Sequence, residues 1–317
     1  MDFAYPSSNY SAASSSLADF RGVVSTVALV IIIIPNAIVL TFFTIRSCRR
    51  NSFSVYVMAL LMLNIIATVT YYPFILISSL SYWWMGSSMC TFFLYSADVL
   101  AFVITLLHMA MALNRIWAVL SPIHYRQYHT RKVAVAIIFI VIILPHFSAL
   151  PVLITDALYY RFPEERYGCG INIQAQLEWM LCNLLLLGVV PIIFLLLSYP
   201  VVLSVLMRHH RTGPQVEARR NSRTRPRRFP RKALVTLTIL TGSVICFWLP
   251  SVAVAFLDLA NLQESVEWLE CLAMITYAAQ SVLDPFLFAA VLSDVAEQMK
   301  ALICICTRKL VSGIATA

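Results

Sequence analysis

The chain alternates between long apolar runs and short polar stretches. A helix needs about 20 mostly apolar residues to cross the hydrocarbon core of a bilayer, and seven runs reach that length. They are Gly22–Ile45, Ser54–Leu80, Ser87–Leu120, Val133–Thr155, Glu178–Met207, Ala233–Leu257 and Trp268–Val291. The pattern therefore predicts an all-α membrane protein, a bundle of seven transmembrane helices. An odd number of spans places the two termini on opposite sides of the membrane.

Composition supports the prediction of a membrane protein. Hydrophobic residues make up 60% of the 317 residues, charged residues make up 12%, and the mean hydropathy is +0.81. These values are typical of membrane proteins and exclude a water-soluble globule. The chain has no Ser/His/Asp set, no zinc-ligand spacing and no glycine-rich phosphate loop. We therefore expect neither enzymatic activity nor a cofactor or metal.

The basic residues are distributed unevenly between the two sides of the membrane. Short cytoplasmic loops retain Lys and Arg. With the N-terminus outside, 19 of the 23 basic residues lie on the cytoplasmic side, and Arg115 lies at its boundary. This distribution predicts a multi-pass plasma-membrane protein with an extracellular N-terminus. The net charge of +8 then reflects topology and attraction to anionic inner-leaflet lipid, and no nucleic-acid partner is expected.

Three parts follow from this topology: an extracellular tail over 1–21, the helical domain over 22–291, and an amphipathic helix with a short cytoplasmic tail over 292–317. The tail lacks the basic and apolar regions of a signal peptide, so the first span must direct insertion. Asn9 begins an Asn-X-Ser triplet, which is either a glycosylation site or a chance occurrence.

The cytoplasmic segments contain two candidate modification sites. The loop over 208–232 is strongly basic and interrupted by proline, which indicates a solvated loop that contacts lipid. Ser222 follows two arginines in this loop, so it is a candidate phosphorylation site for a basophilic kinase. Cys304 and Cys306 follow the seventh span, where they are either palmitoylation sites or small apolar residues.

Two cysteines lie on the predicted outer side. Cys90 begins the third span, and Cys169 lies in the long loop before the fifth. Disulfides persist outside the cell, so a bond between them can attach this loop to the helical bundle. The alternative is that either cysteine is a free thiol.

Several short motifs occur in a definite order along the chain. "NRIWAVLSPIHY" ends the third span, "CFWLP" lies in the sixth and "DPFLF" in the seventh, while a proline and a tyrosine are spaced along the fifth. The motif residues are Arg115, Pro122, Pro191, Tyr199, Trp248, Pro250, Asp284, Pro285 and Phe288. In this order the chain resembles the rhodopsin-like, class A, G-protein-coupled receptors. The resemblance implies binding of an extracellular ligand and activation of a heterotrimeric G protein.

In that family the arginine at the position of Arg115 meets the Gα subunit when the sixth span moves outward, and it can approach the tyrosine at the position of Tyr199. The alternative is an arginine whose charged head extends toward lipid phosphate. Asn114 and Ile116 replace the family's acidic residue and tyrosine, and Phe288 lacks the usual hydroxyl. A neutral acceptor holds a guanidinium less tightly than a carboxylate does. We therefore expect Arg115 to be held loosely in the resting state, and the receptor to show ligand-independent activity.

The resemblance also suggests a polar cluster between the helices. Asn64 and Asp284 look like the family's Asp/Asn pair with its members exchanged, and Ser281 lies one turn before Asp284. We expect Asn64 and Asp284 to face one another across a polar, hydrated space. Ile104 replaces a frequent hydroxyl, which removes one ligand for a sodium ion. The sequence leaves sodium binding open.

The ligand pocket is the least defined region. Ala97 and Ala278 occupy the positions of the amine-receptor aspartate and the opsin lysine, which disfavours both kinds of receptor. Asp98 either faces a basic ligand or pairs with a neighbouring side chain, and His108 and His146 are expected to pack between helices. The pocket candidates are Tyr95, Asp98, Phe102, Trp248 and Tyr277.

Two alternatives to a signalling receptor stay open. One is a seven-helix relative that binds a ligand without activating a G protein. The other is a small transporter, although the chain has no internal repeat of the kind that many transporters contain.

Overall fold

The computed structural model describes residues 15–45, 52–80, 83–163, 168–198, 200–201, 203–204, 231–260 and 267–291. Within these residues seven helices are long and apolar enough to cross a membrane. The predicted all-α, seven-helix membrane fold is therefore confirmed. Asn9, Tyr199, Ser222, Cys304 and Cys306 lie outside the described residues, as do segment 292–317 and nearly all of the basic loop.

Five spanning helices begin and end within a few residues of their predicted runs; the first begins seven residues earlier, at Ser15, and the predicted end of the fifth lies outside the described residues. The helices are Ser15–Ile45, Ser52–Leu80, Gly86–Leu120, Arg131–Thr155, Leu177–Asn183, Arg231–Leu259 and Glu267–Val291. The fourth continues through a π-turn over Asp156–Tyr160, and the fifth continues from Leu177–Asn183 through a π-turn over Leu184–Val189. Helices form over these runs because lipid offers no partner to backbone N–H and C=O groups, which must pair within the helix.

A short helix of seven residues follows the third span. It is the helix Pro122–Tyr128, called the inner-loop helix below. Proline suits its first turn because the N–H at that position has no helical acceptor. Thr130 then caps the fourth span by accepting a hydrogen bond from the backbone N–H of Val133. The third and fourth spans are therefore joined by a compact, ordered connection.

The main buried core is formed mostly by the second, third and fourth spans, with residues from the other four spans packed into it. Its largest fully buried side chains include Phe53, Tyr56, Leu107 and Met111. The opposite surfaces of the same helices are apolar as well, and Phe147 of the fourth span is 75% exposed. Apolar residues on both faces are expected where the outer face contacts lipid.

One end of the bundle is closed by a covalent and an ionic link, and we call it the disulfide end. Cys90 and Cys169 form a disulfide across 79 residues of chain. Arg161 donates from Nε to Asp156 Oδ2 over 2.7 Å and from an Nη to Thr91 Oγ1 over 2.6 Å. Asp156 also accepts from the backbone N–H of Asn172. Both sides of the connecting loop are thereby attached near the start of the third span.

Candidate functional site

The opposite end, called the Arg115 end, contains the charged residue of the third-span motif. The guanidinium carbon of Arg115 lies 3.4 Å from the centre of the Phe53 ring. No hydrogen bond or ion pair joins Arg115 to another residue in the described part of the chain. A cation above an aromatic face is attracted by the ring's electron density. Phe53 of the second span therefore holds Arg115.

Asn114 has different partners from those expected. It is buried, and its Nδ2 lies 2.6 Å from His129 Nε2. The Tyr125 hydroxyl donates to Asn114 Oδ1 over 3.1 Å. The structure thus differs from the expectation that Asn114 would hold Arg115, because its amide is turned toward the inner-loop helix and uses both of its polar atoms there.

His129 completes this group, together with Tyr56. The Tyr56 hydroxyl lies 3.2 Å from His129 Nε2, and the Tyr125 ring stacks on the imidazole with centres 4.7 Å apart. Nε2 accepts from the Asn114 amide, which requires the neutral imidazole. Burial lowers the pKa of His129, which favours the same form. We call Tyr56, Asn114, Tyr125 and His129 the inner-loop cluster.

The remaining motif residues at this end surround Phe53. Phe288 is fully buried, and its ring centre lies 6.4 Å from that of Phe53. Ile116 packs against the core, and Pro122 begins the inner-loop helix. Phe288 therefore supports the ring that holds Arg115, so the seventh and third spans are connected through the second.

Halfway along the bundle, Asp284 is fully buried. It accepts hydrogen bonds from Asn64 Nδ2 over 3.1 Å and from Gln280 Nε2 over 2.6 Å. Asn64 and Asp284 thus meet directly. The hydroxyl of Ser281 donates to the carbonyl of Tyr277, and the backbone carbonyl of Ser281 accepts from Asn36.

The same carboxylate has a neighbour that the sequence did not reveal. His108 Nε2 lies 3.6 Å from Asp284 Oδ2, and both side chains are fully buried. Asn64 Oδ1 and Gln280 Oε1 have no hydrogen-bond partner among the described residues, and such oxygens are suitable ligands for a hard cation. A cation bound by these oxygens would be balanced by the Asp284 carboxylate.

Two cavities lie toward the disulfide end and share two carboxylates. Their volumes are about 280 Å³ and about 430 Å³, and the larger falls in the usual range for small-molecule sites. Asp98 and Asp258 line both cavities. Glu270 lines the larger one and pairs with Arg21. No sequence motif marks Asp258 or Glu270, so the sequence alone does not identify them as cavity residues.

The predicted pocket residues divide between these cavities. Phe102 lines the smaller, while Trp248 and Tyr277 line the larger with ring centres 5.7 Å apart. Tyr95 lines neither cavity and packs edge-on against His146. Pro250 and Pro285 lie inside the sixth and seventh helices, just beyond Trp248 and Asp284 along the chain.

Comparison with known families gives the class of protein that these features define. The family model described as "7 transmembrane receptor (rhodopsin family)" matches residues 35–288. The chain therefore belongs to the rhodopsin family of seven-transmembrane receptors and is a multi-pass membrane protein.

Curated proteins similar to this chain include adrenergic receptors, at low identity. The chain is 27% identical to the alpha-2B adrenergic receptor of Orycteropus afer over 65% of this chain and 54% of that receptor. It is 28% identical to the alpha-2B adrenergic receptor of Oryctolagus cuniculus, over 61% of this chain and 49% of that receptor. It is 29% identical to the alpha-2Db adrenergic receptor of Danio rerio, over 42% of this chain and 32% of that receptor. The matches thus span about half or less of the relatives' length.

Proposed function

We propose that this protein is a plasma-membrane receptor that binds an extracellular ligand at the disulfide end and activates a heterotrimeric G protein at the Arg115 end. The N-terminus is extracellular, and the inner-loop helix faces the cytoplasm beside anionic lipid. The observation that carries the proposal is the position of Arg115, which is held by an aromatic ring instead of a carboxylate. Its guanidinium keeps its hydrogen-bonding capacity for a partner that enters from the cytoplasm.

A path of contacts supports communication between the two ends. A ligand in the larger cavity would contact Trp248 of the sixth span and Tyr277 of the seventh. Further along the seventh span, Phe288 packs on Phe53, and Phe53 holds Arg115. A small movement of the seventh span would therefore disturb the ring beneath Arg115 and release its side chain. Arg115 then meets the Gα subunit, beside Ile116 and Pro122.

The nearest alternative is a receptor relative that binds a ligand without activating a G protein. Two replacements favour it, because Asn114 lacks the carboxylate and Phe288 lacks the hydroxyl that most relatives carry at these positions. A transporter is a more distant alternative, and we propose no enzymatic activity. Glycosylation at Asn9, palmitoylation at Cys304 and Cys306, and phosphorylation at Ser222 remain proposals for mass-spectrometric mapping.

Guanine-nucleotide exchange tests the proposal. The purified protein is reconstituted with heterotrimers from each Gα class, and exchange is measured with and without a library of extracellular ligands. We expect exchange above that of empty vesicles, and loss of this activity on Arg115→Ala. Arg126→Ala is the matched control, because Arg126 is an exposed residue of the inner-loop helix. Ligand binding without exchange would favour the non-signalling relative, and solute flux in liposomes would favour the transporter.

A further inference from the structure

The chemistry of the two cavities at the disulfide end indicates a class of ligand. Three carboxylates lie around the larger cavity, from the third, sixth and seventh spans. Arg21 neutralises Glu270. Within the described ranges Asp98 and Asp258 have no hydrogen bond or ion pair, and none of the described lining residues is a Lys or Arg. Two carboxylates therefore face the same space without a compensating charge.

A second feature of the same cavity is a buried hydrogen-bond donor that has no acceptor in the described part of the chain. The Trp248 side chain is only 7% exposed, and its indole Nε1–H has no hydrogen-bond acceptor among the described residues. A buried donor without an acceptor costs free energy. The ring lines the larger cavity, so an oxygen atom on the body of a ligand can supply the acceptor. An ammonium or guanidinium group only donates hydrogen bonds, so the preference for a cation rests on the carboxylates and the aromatic rings.

The aromatic lining favours positive charge as well. Tyr71, Trp248 and Tyr277 all line the larger cavity, and their rings form a continuous edge-to-face series. Aromatic faces attract ammonium and guanidinium groups, most strongly where water is excluded. Carboxylates and aromatic rings together select a cation with an apolar body.

We propose that this cavity binds a small organic cation, an amine or a guanidinium compound, whose charged group lies between Asp98 and Asp258. Ala97 occupies the position of the amine-receptor aspartate, so the charge is recognised by the next residue of the third span and by a carboxylate of the sixth. Glu270 takes no part, because Arg21 holds it. The inference rests on the proposed receptor function only in treating this cavity as the ligand site.

Charge-selective labelling of a thiol tests the proposal without a known ligand. Ser251 lines the larger cavity, and Ser251→Cys introduces a thiol of similar size. The rate of its reaction is measured with two methanethiosulfonate reagents, one carrying a trimethylammonium group and one carrying a sulfonate group. Each rate is corrected for labelling of the parent chain and for the rate at which the reagent labels a free thiol in solution. We expect the cationic reagent to be favoured. In water a unit charge about 6 Å away changes each rate about threefold, so Asp98→Asn or Asp258→Asn should lower the ratio roughly tenfold.

The controls separate this effect from misfolding and from general surface charge. Asp98→Glu and Asp258→Glu keep the charge and should keep the ratio. Glu178→Gln neutralises an exposed carboxylate that lines neither cavity, so it should leave the ratio unchanged. A ratio equal to that of the free thiol, or one lowered as much by Glu178→Gln, would overturn the proposal.

The same introduced thiol tests whether an organic cation occupies the larger cavity. Arylalkylamines should slow its labelling by a neutral methanethiosulfonate, and they should do so more than arylalkyl alcohols of equal length. Asp98→Asn with Asp258→Asn should remove this preference, whereas equal protection by the alcohols would overturn the inference. No G protein takes part in either assay. A cation-selective cavity without nucleotide exchange would therefore reject the proposed signalling alone, and activation by a neutral ligand would reject the ligand class alone.

Discussion

Replacing Phe53 by leucine should raise the ligand-independent activity of the receptor. The substitution keeps a buried apolar side chain and removes the ring beneath Arg115, whose guanidinium carbon lies 3.4 Å from the ring centre. A desolvated cation–π contact contributes about 2 kcal/mol. If this contribution belongs wholly to the resting state, its loss raises the ratio of active to resting receptor by up to roughly 30-fold.

Basal nucleotide exchange on reconstituted G protein measures this ratio, at equal amounts of folded receptor. Phe53→Tyr keeps an aromatic face and should remain close to the wild type. Phe288→Leu is the matched control for packing, because Phe288 touches Phe53 and has no ring contact with Arg115. The expected order of basal activity is Phe53→Leu highest, then Phe288→Leu, then Phe53→Tyr.

Adding Arg115→Ala to Phe53→Leu should abolish the gain, since the released guanidinium is the proposed contact with Gα. Basal exchange that is the same in Phe53→Leu and Phe53→Tyr would refute the reasoning. It would mean that the ring does not restrain Arg115 in the resting state.

Three further predictions concern buried polar groups. Asp284→Asn alone should reduce expression or signalling more than the exchange Asn64→Asp with Asp284→Asn, which keeps one carboxylate; equal damage would show independent positions. Gln280→Leu should reduce any rise in melting temperature that NaCl gives over choline chloride, because it removes an amide oxygen beside Asp284 that is unpaired among the described residues and suits a hard cation; an unchanged rise would contradict a cation site there. Burial lowers the pKa of His129, so the unfolded chain binds a proton near pH 6.5 more readily than the folded one. Stability should then fall from pH 7.5 to pH 5.5, and His129→Gln should lessen the fall; identical melting shifts would reject that role.

The sequence determined the architecture because lipid imposes a simple rule. Every backbone polar group in a bilayer must pair within its own helix, so length and apolarity alone identified the seven spans. The disulfide followed from compartment and position, since Cys90 and Cys169 both fall on the predicted outer side. The order of motifs around Arg115, Trp248 and Asp284 was enough to suggest the receptor family.

The tertiary structure decided which side chains meet, because these contacts join residues that are distant in the sequence. Phe53 and Arg115 are separated along the chain by most of the second and third spans, and neither residue indicates the other from the sequence. From the resemblance, Asn114 was expected to hold Arg115 loosely as a neutral acceptor. Adjacent residues of a helix point about 100° apart, and the Asn114 amide faces His129 instead. The same reason applies to His108 beside Asp284 and to the cavities that Asp98 and Asp258 both line. Helix packing, which local sequence does not encode, selected these partners.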